Sequence, residues 1–357
     1  MKQLRVGVVG CGEVSQIVHL PSLAQLPEQF TVMALCDVSE EVLQSVGKRW
    51  GVTNLFRDYR DLVGQDDVDV VLIANPNAYH AQVTLAAIAA GKHVLVEKPM
   101  CITLREADEV IAAQQQAGVT VQVGYMRRYA PAFLQACQMT QQLGGIRLAR
   151  VHDVIGQNSL VIRATSRVTR GQDVPGQVIE ESRRLHEALV HEAIGDSSPE
   201  LRTAYGMLLG LSCHDISAMR ELLGLPNGVL YAALRQGGRY LSAAFDYGDY
   251  VCQFETGVDN IPRYDTTLEV YGSERVLRVQ YDTPYVLNIP VRLFVTEARD
   301  GSGISERAEL PTWGDPFLAE WQAFYHSIID GCEPKTSPAD FRQDLVLFLE
   351  MVARMRG

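Results

Sequence analysis

The first 125 residues alternate short apolar runs, rich in β-branched side chains, with longer segments whose apolar residues recur at helical spacing. Such alternation is typical of βαβ units, in which helices cover both faces of a parallel sheet. Because βαβ crossovers are right-handed, we predict a doubly wound parallel sheet that binds ligands at the carboxyl ends of its strands. The predicted strands are Leu4–Val9, Thr31–Cys36, Val68–Ala74, His93–Val96 and Thr120–Val123, and the predicted helices are Val14–Leu26, Glu40–Trp50, Ala78–Ala90 and Leu104–Ala117.

From about residue 130 the pattern changes to one helix followed by segments with a period of two, separated by glycine-containing turns. This pattern favours an α+β region with a large, mostly antiparallel open sheet. Ser337 is the predicted N-cap of the last helix, with a proline at its first position. The predicted helices are Ala130–Leu143, Pro316–Asp330 and Pro338–Arg354, and the predicted strands are Arg147–Ile155, Val229–Leu234, Tyr240–Tyr247, Tyr250–Gly257, Thr266–Tyr271, Arg275–Tyr281 and one near Val291–Glu297.

An insertion of helical pattern, residues 163–224, separates the first two of these later strands. Gln177–Ile194 places its apolar residues along one face. Ser198 then caps a second helix, which has Pro199 at its first position and runs to about Leu223. We expect this insertion to cover or reshape a pocket, or to join an oligomer interface.

The length of the chain predicts the number of domains, and its charge limits the classes of partner that it can bind. At 357 residues it exceeds the size at which one core stays efficient, so we predict two domains, residues 1–125 and 126–357. Its net charge of −11 repels nucleic acid and anionic membranes and favours a small, neutral or modestly charged partner. Seven scattered cysteines, with neither paired nor zinc-ligand spacing, indicate reduced thiols in the cytoplasm and no metal site.

A glycine-rich turn follows the first predicted strand with the spacing G-x-G-x-x-G, in which a serine replaces the third glycine. The first glycine permits a tight turn, and the second lets backbone N–H groups approach a pyrophosphate. The helix N-terminus then stabilises the phosphate charge. We therefore predict that a dinucleotide binds Gly10, Gly12, Glu13, Val14 and Ser15.

Asp37 ends the second predicted strand, about 25 residues beyond this turn. A carboxylate there can accept hydrogen bonds from the adenosine ribose hydroxyls and would repel a 2′-phosphate, which favours NAD over NADP. The alternative is that Asp37 is only the N-cap of the helix predicted from Glu40.

The apolar strand His93–Val96 runs directly into Glu97-Lys98-Pro99. A lysine at a strand end is usually solvated. In a doubly wound sheet, however, this strand end lies where a dinucleotide and its substrate bind. We therefore interpret Lys98 as reaching for a reacting oxygen.

Taken in order, these segments resemble the Gfo/Idh/MocA family of sugar and polyol oxidoreductases. The resemblance covers the whole first domain and, more weakly, the second. It implies an NAD(P)-binding Rossmann domain followed by an α/β domain whose open sheet commonly forms a homodimer or homotetramer interface. The matching segments are Gly7–Ser15, Cys36-Asp37, Ala74–Asn77 with His80, Glu97-Lys98-Pro99, Gly124–Tyr129 and His214-Asp215.

The resemblance implies that the loop Asn75-Pro76-Asn77 and the side chain of Glu97 lie against the cofactor. It includes His80, which we interpret either as a core histidine or as a supporting group near the cofactor.

The resemblance also implies the catalytic pair. It gives Lys98 a hydrogen bond to the reacting hydroxyl or carbonyl and makes His214 a general acid or base, and the bond before Pro99 is often cis in the family. Relatives usually carry an aspartate four residues before the histidine, but this chain has Gly210 there. Asp215 points about 100° around the helix from His214 and cannot simply replace that aspartate.

Hydride transfer from a secondary alcohol requires a base for the hydroxyl proton and a positive charge near the developing alkoxide. An imidazole and an ammonium supply these, which suits His214 and Lys98. We expect further residues to line a sugar pocket, although Arg127-Arg128-Tyr129 is equally typical of a surface ion-pair cluster. The predicted substrate-binding residues are Lys98, Tyr125, Arg127, Arg128, His152, Asn158 and His214.

The sequence thus predicts an NAD-dependent dehydrogenase for a hydroxyl or ketone of a sugar, glycoside or cyclitol. Two alternatives stay open. One is an enzyme that cleaves glycosides by transient oxidation, elimination and re-reduction. The other is a dinucleotide- or sugar-binding sensor without catalysis, which the glycine at position 210 would suit.

Overall fold

The computed structural model describes residues 2–299 and 303–356, which form two compact units. The first unit contains the chain up to Tyr125 together with Ser166–Gly195 and Glu320–Leu345. The second contains Met126–Thr165, Asp196–Ala319 and the chain from Val346 onward. The first half of the helical insertion and most of the penultimate helix therefore belong to the first unit, whereas the sequence pattern predicts that both lie in the domain beyond residue 125. That division at residue 125 stays a prediction.

The first unit is built on a parallel sheet of six strands in the order β3-β2-β1-β4-β5-β6. The central strands are buried on both faces because helices cover each side, which explains their continuous Val, Leu and Ile runs. The predicted doubly wound sheet is confirmed. Its strands are β1 Leu4–Val9, β2 Phe30–Cys36, β3 Asn54–Phe56, β4 Val70–Ile73, β5 His93–Glu97 and β6 Val121–Gly124.

The second unit contains an eight-stranded sheet in the order β14-β13-β12-β11-β7-β10-β9-β8. Neighbouring strands are antiparallel except β7 and β10, which pair in parallel, so the predicted mostly antiparallel sheet is confirmed. Side chains alternate between the core and the other face; on β11, for example, Thr266, Leu268 and Val270 are buried. The strands are β7 Ile146–Gly156, β8 Gly228–Arg235, β9 Tyr240–Asp246, β10 Val251–Asp259, β11 Tyr264–Gly272, β12 Arg275–Tyr281, β13 Arg292–Arg299 and β14 Gly303–Glu309.

The helices follow the predicted pattern, with local capping. Ser39 caps α2 and Ser198 caps α9, each accepting a hydrogen bond from the N–H three residues on, and Thr103 and Glu106 form a capping box at α5. The α-helices are α1 Leu20–Ala24, α2 Glu40–Trp50, α3 Tyr59–Val63, α4 His80–Ala89, α5 Leu104–Ala117, α6 Pro131–Thr140, α7 Asn158–Thr165, α8 Gly176–Ile194, α9 Pro199–Met207, α10 Cys213–Leu223, α11 Pro316–Asp330 and α12 Pro338–Met355.

Two wider π-helical turns interrupt this pattern, one in each unit. Ser15–His19 precedes α1, and Leu208–Ser212 joins α9 to α10. Turns of this kind often accompany functional sites. Across residues 2–299 and 303–356, no helix combines the length and apolarity that crossing a membrane requires.

Candidate active site

The glycine-rich turn begins where β1 ends. Gly10 has φ +92°, and a Cβ added to it would lie 2.4 Å from the backbone nitrogen of Asn75, so only glycine fits. A Cβ on Gly12 would meet no described atom within 4 Å, which leaves that part of the turn open. Ser15, in place of the third glycine, is fully buried and donates its hydroxyl hydrogen to the Gly10 carbonyl. The serine therefore closes the turn that Gly10 opens.

Asp37 holds the same turn from the end of β2. Its carboxylate accepts hydrogen bonds from the backbone N–H of Cys11 at 2.9 Å and from that of Ser39 at 3.0 Å. Ser39, not Asp37, is the N-cap of α2, since its hydroxyl accepts from the N–H of Val42 at 3.1 Å. The alternative reading of Asp37 as a helix cap is therefore wrong. Asp37 remains half-exposed beside the glycine-rich turn.

The loop after β4 carries the next predicted residues. Pro76 is exposed and Asn77 begins a short helical turn, Asn77–Tyr79. His80 is 1% exposed, and its two ring nitrogens face the carbonyls of Pro99 and Asn75, each at 2.7 Å. Burial lowers the pKa of His80, while these two carbonyls oppose the shift. His80 therefore connects the Asn75 loop to the segment after β5.

Glu97, at the end of β5, belongs to a buried chain of hydrogen bonds. The indole Nε1 of Trp321 donates to His19 Nδ1 at 3.1 Å. Because an indole N–H can only donate, Nε2 of His19 carries the proton and donates to Glu97 Oε1 at 2.8 Å. The other oxygen, Oε2, accepts from the backbone N–H of Lys98 at 3.1 Å.

This chain of hydrogen bonds keeps Glu97 ionised. Burial alone would raise the pKa of Glu97, but the hydrogen bond from His19 and the nearby positive charge of Lys98 outweigh burial and lower it. The sequence gives no sign of the contact between His19 and Trp321, because these residues are 302 positions apart and neither belongs to a recognisable motif.

Lys98 follows Glu97 and is half-buried. The bond between Lys98 and Pro99 is cis, as the family resemblance implied. The carboxyl ends of four neighbouring strands, β2, β1, β4 and β5, thus bring together Asp37, the glycine-rich turn, the Asn75 loop and Lys98 at one edge of the sheet. The reversal of strand order between β1 and β4 marks this edge as the binding edge of a doubly wound sheet.

The first unit fits a dinucleotide at this edge. A pyrophosphate requires a tight turn and an open backbone, which Gly10 and Gly12 provide. The adenosine ribose requires an acceptor, which the Asp37 carboxylate provides. In addition, Asn75 has a buried side-chain oxygen, Oδ1, with no hydrogen-bond partner among the described residues. Such an orphaned acceptor beside the turn suits an amide or hydroxyl donor of a bound cofactor.

The second unit places Arg127 in its interior. The guanidinium is 2% exposed and donates to Asp153 at 3.3 Å, to Asp215 and to the hydroxyl of Tyr264. Its plane also lies over the ring of Tyr281, 5.3 Å from the ring centroid. Arg127 is therefore committed to a buried network, not to a surface cluster.

One buried cation faces two carboxylates in this network. Burial raises the pKa of Asp215 well above its usual range, and the nearby Asp153 raises it further, while Arg127 opposes the shift. Asp153 also accepts a 2.6 Å hydrogen bond from Thr266. Burial and Asp153 therefore disfavour the ionised form of Asp215, and Arg127 favours it.

The other predicted substrate-binding residues have protein partners in the structure. Tyr125 is fully buried and donates to Asp344 at 2.7 Å. Arg128, which is 4% exposed, donates to Glu221. Their substrate-binding roles, like that of Arg127, stay predictions.

His152 and Asn158 lie on or just after β7. His152 is half-buried between carboxylates of the two neighbouring strands, Glu255 and Asp265, each 3.3 Å from a ring nitrogen. Asn158 begins α7 and is half-exposed.

His214 is the second residue of α10 and is 7% exposed. It directly follows the π-helical turn Leu208–Ser212, which contains Gly210. A Cβ on Gly210 would meet nothing within 4 Å among the described residues. The position that relatives give to aspartate therefore has room for a side chain, while the neighbouring Asp215 is occupied with Arg127.

A family model described as "Oxidoreductase family, NAD-binding Rossmann fold" matches residues 4–125. An uncharacterized oxidoreductase of Bacillus subtilis, YrbE, is 26% identical to this chain, covering 82% of this chain and 79% of its own. A myo-inositol 2-dehydrogenase of Thermotoga maritima is 24% identical and covers 96% and 94%. An inositol 2-dehydrogenase of Salmonella paratyphi B is 37% identical over 134 residues, 37% of this chain and 40% of that enzyme.

Solved structures share the whole fold at low sequence identity. A levoglucosan dehydrogenase in complex with NADH has a TM-score of 0.78 and 19% identity, covering 99% of this chain and 97% of that one. A 3-ketoreductase of Actinomadura kijaniata with NADP and TDP-benzene has a TM-score of 0.74 and 22% identity, covering 99% and 97%. The glycine-rich turn, Asp37, the Asn75 loop and Glu97-Lys98-Pro99 lie at one sheet edge and within the residues 4–125 that match the GFO_IDH_MocA family model, so the resemblance of the first unit to the NAD-binding domain of that oxidoreductase family is confirmed.

Proposed function

We propose that this protein is an NAD-dependent dehydrogenase that transfers a hydride between the nicotinamide cofactor and a secondary hydroxyl or ketone of a sugar, glycoside or cyclitol. One observation carries the proposal. Lys98 extends from β5 at the same sheet edge as the glycine-rich turn and the Asn75 loop, in the segment that matches the family model. A reactive cation and a dinucleotide turn at one edge suit oxidoreduction of an alcohol.

The carboxylate of Asp37 supports NAD over NADP. It is half-exposed and tied to the turn through the N–H of Cys11, so one edge remains open to the adenosine ribose hydroxyls. A 2′-phosphate at that position would meet a like charge. Bound NAD would supply the hydride acceptor for the oxidation of the alcohol.

Lys98 and His214 carry the proton chemistry in this proposal. The ammonium of Lys98 stabilises negative charge that develops on the substrate oxygen, and Glu97 fixes the backbone of Lys98 through its N–H. The imidazole of His214, from the start of α10, exchanges the hydroxyl proton.

The named relatives support sugars and cyclitols as the substrate class. They include two inositol 2-dehydrogenases, and the similar structures include a levoglucosan dehydrogenase and a 3-ketoreductase. We also propose a cytoplasmic homodimer or homotetramer that associates through the eight-stranded sheet. Light scattering of the purified protein tests the association, because a monomeric mass at all concentrations would contradict it.

The test is NADH formation from NAD with a panel of inositols, monosaccharides and glycosides. Lys98→Ala should abolish turnover and leave NAD binding by calorimetry unchanged. Lys48→Ala, which removes an exposed lysine of α2, is the matched control and should be fully active. Unchanged turnover in Lys98→Ala would contradict the catalytic assignment, and NAD binding without turnover on the whole panel would favour the sensor alternative. Glycoside cleavage without net NADH formation would favour the elimination alternative.

Gly210 offers a second test of the proton chemistry. Because a side chain fits there without contacts, Gly210→Asp should fold as well as the wild-type protein. If His214 works without a partner from that position, the acidic side of the kcat-versus-pH profile should stay unchanged. A shift of that profile would show that the added carboxylate interacts with the reacting groups.

A further inference from the structure

The insertion contains a segment that lies on the dinucleotide-binding edge of the first unit. We call this segment, residues 167–173, the strap. Thr169 attaches it to the helical turn after the glycine-rich loop, because Thr169 N donates to Gln16 Oε1 and Gln16 Nε2 donates to the Thr169 carbonyl, both at 2.9 Å. The hydroxyl of Thr169 also lies 2.7 Å from that of Ser45 on α2. The strap therefore spans from the glycine-rich turn to α2.

The far end of the strap packs on the N-terminus of α2. Gly171 lies so close that an added Cβ would be 2.0 Å from Ser39 Oγ, so a side chain does not fit there. The next residue, Gln172, donates its backbone N–H to the Glu41 carboxylate at 2.9 Å. This close contact fixes the following residue, Asp173, against the first turn of the helix.

Asp173 places a carboxylate on the first amides of α2. Its Oδ2 accepts from Glu40 N at 2.7 Å and Glu41 N at 3.2 Å, and its Oδ1 accepts from the Ser39 hydroxyl. The hydrogen bond from Ser39 and those backbone amides lower the pKa of Asp173. An anion from the strap therefore occupies the donors that the start of α2 offers.

These donors begin two residues after Asp37. In a doubly wound fold the acid at the end of the second strand faces the adenosine ribose, so a 2′-phosphate would lie next to it. N–H groups at a helix N-terminus are the usual anion ligands. With Asp37 on one side and Asp173 on those N–H groups, a 2′-phosphate would find two carboxylates and no free amide at Glu40 or Glu41.

We propose that Asp173 is a specificity-determining residue that excludes NADP, acting from the strap alongside Asp37. The inference rests on the proposed function, because it assumes that the cofactor is NAD. Asp173 lies more than 130 positions further along the chain and is a second carboxylate that acts with Asp37, at the end of β2, against a 2′-phosphate.

Two nearby guanidiniums oppose this exclusion. Arg170 of the strap pairs with Glu13, with Nε 2.9 Å from the carboxylate, and Arg57 donates to the Val38 carbonyl at 2.8 Å. Both are exposed and would be the groups that a 2′-phosphate recruits. Because Glu13 already neutralises Arg170, this guanidinium does not cancel the charge of Asp173. Only NADP carries a 2′-phosphate, so the removal of the Asp173 charge should change NADP binding more than NAD binding.

The experiment measures NAD and NADP dissociation constants by calorimetry for the wild-type protein, Asp173→Asn and Asp173→Ser, with 2′-AMP as a probe of the ribose-phosphate position. Asparagine and serine keep an acceptor for the helix amides without the charge. We expect NADP and 2′-AMP to bind about tenfold tighter to both variants, because the carboxylate charge that faces the 2′-phosphate is removed, with NAD affinity within about twofold. Asp66→Asn, an exposed carboxylate that precedes β4 at the opposite edge, is the matched control and should change neither affinity.

The outcomes separate this inference from the proposed function. NAD binding to the wild-type protein with an unchanged NADP-to-NAD ratio in both variants overturns the role of Asp173 alone. An equal loss of both affinities in variants with unchanged melting temperature also overturns it, because the strap would then support binding without selecting. If the wild-type protein binds neither nucleotide, the cofactor assignment fails, and this inference fails with it.

Discussion

One buried polar cluster in the first unit and one in the second have opposite designs. In the first unit, Trp321, His19 and Glu97 form a line of donors that ends on one carboxylate. In the second unit, the single cation Arg127 lies between two carboxylates, Asp153 and Asp215. Both clusters lie beside π-helical turns and beside residues predicted to act on substrate, Lys98 and His214.

The difference shows how surroundings decide the state of a buried carboxyl group. Glu97 has donors on both oxygens, so its charge is stabilised and its pKa is lowered despite burial. Asp215 shares one guanidinium with another carboxylate, so burial prevails and its pKa is raised. The first cluster therefore favours the negative charge of Glu97 next to Lys98, and the second disfavours the negative charge of Asp215 next to His214.

The largest loss of stability should follow the removal of Arg127, the cation of the second cluster. Arg127→Met leaves Asp153 and Asp215 buried without a counter-charge and should destabilise the protein by about 3–5 kcal/mol. Urea unfolding followed by circular dichroism measures this. Arg263→Met removes an exposed ion-pair partner in the same unit and should cost less than about 1 kcal/mol. Equal losses in the two variants would show that burial does not distinguish the Arg127 network.

Removing His19, the central residue of the first cluster, should destabilise the protein less than Arg127→Met does, because only one group in the first cluster is charged. His19→Leu leaves the Trp321 N–H and one Glu97 oxygen without partners and should cost about 2–4 kcal/mol, from two unsatisfied buried groups. A double-mutant cycle with Trp321→Phe measures how far the two contacts depend on each other. Fully additive losses would contradict a connected chain of hydrogen bonds.

The two clusters should change the stability of the protein in opposite directions as pH rises. The folded pKa of Glu97 lies below its ordinary value of 4.5, so Glu97 stabilises the fold above that pH, and this stabilisation is lost as pH falls through the folded pKa. The folded pKa of Asp215 lies above its ordinary value of 3.8, so its stabilisation is complete below 3.8 and is lost as pH rises through the folded pKa.

Melting temperatures of Glu97→Gln and Asp215→Asn, each relative to the wild-type protein, test these signs across a pH series. As pH rises, the first variant should become relatively less stable and the second relatively more stable. Parallel trends in the two variants would contradict a lowered pKa for Glu97 and a raised pKa for Asp215.

Patterns that are local in the sequence were predicted well. The strands β1, β2, β4, β5 and β6 and the main helices carry strong apolar periodicity, and the glycine-rich turn, Asp37 and Lys98 lie where the sheet topology required. The edge strands β3 and β14 were missed. The first has only three residues, and the second is mostly polar and exposed, so neither shows a clear pattern.

Pairings between distant residues were not predictable. Nothing near His19 indicates Trp321, and nothing near Asp37 indicates the strap, because these contacts depend on how the chain returns to the sheet. Arg127 and Arg128 were expected either to line a pocket or to form a surface cluster. Both are buried, since Asp215 and Glu221 of α10 supply their counter-charges.

The smallest loss of stability should come from an exposed group of ion pairs that contains the same kinds of charged residue as the buried clusters. Arg105 on α5 pairs with Glu192 of α8 and with Glu109, and the arginine side chain is 51% exposed. Water and salt screen such pairs, so Arg105→Ala should cost only about 0.2–1 kcal/mol, and the loss should shrink further at high salt. The His19→Leu and Arg127→Met losses should depend far less on salt, because the groups that these changes leave unpaired are buried. If the Arg105 loss were as large and as salt-independent as theirs, solvent exposure would not be what separates the buried clusters from an ordinary surface ion pair.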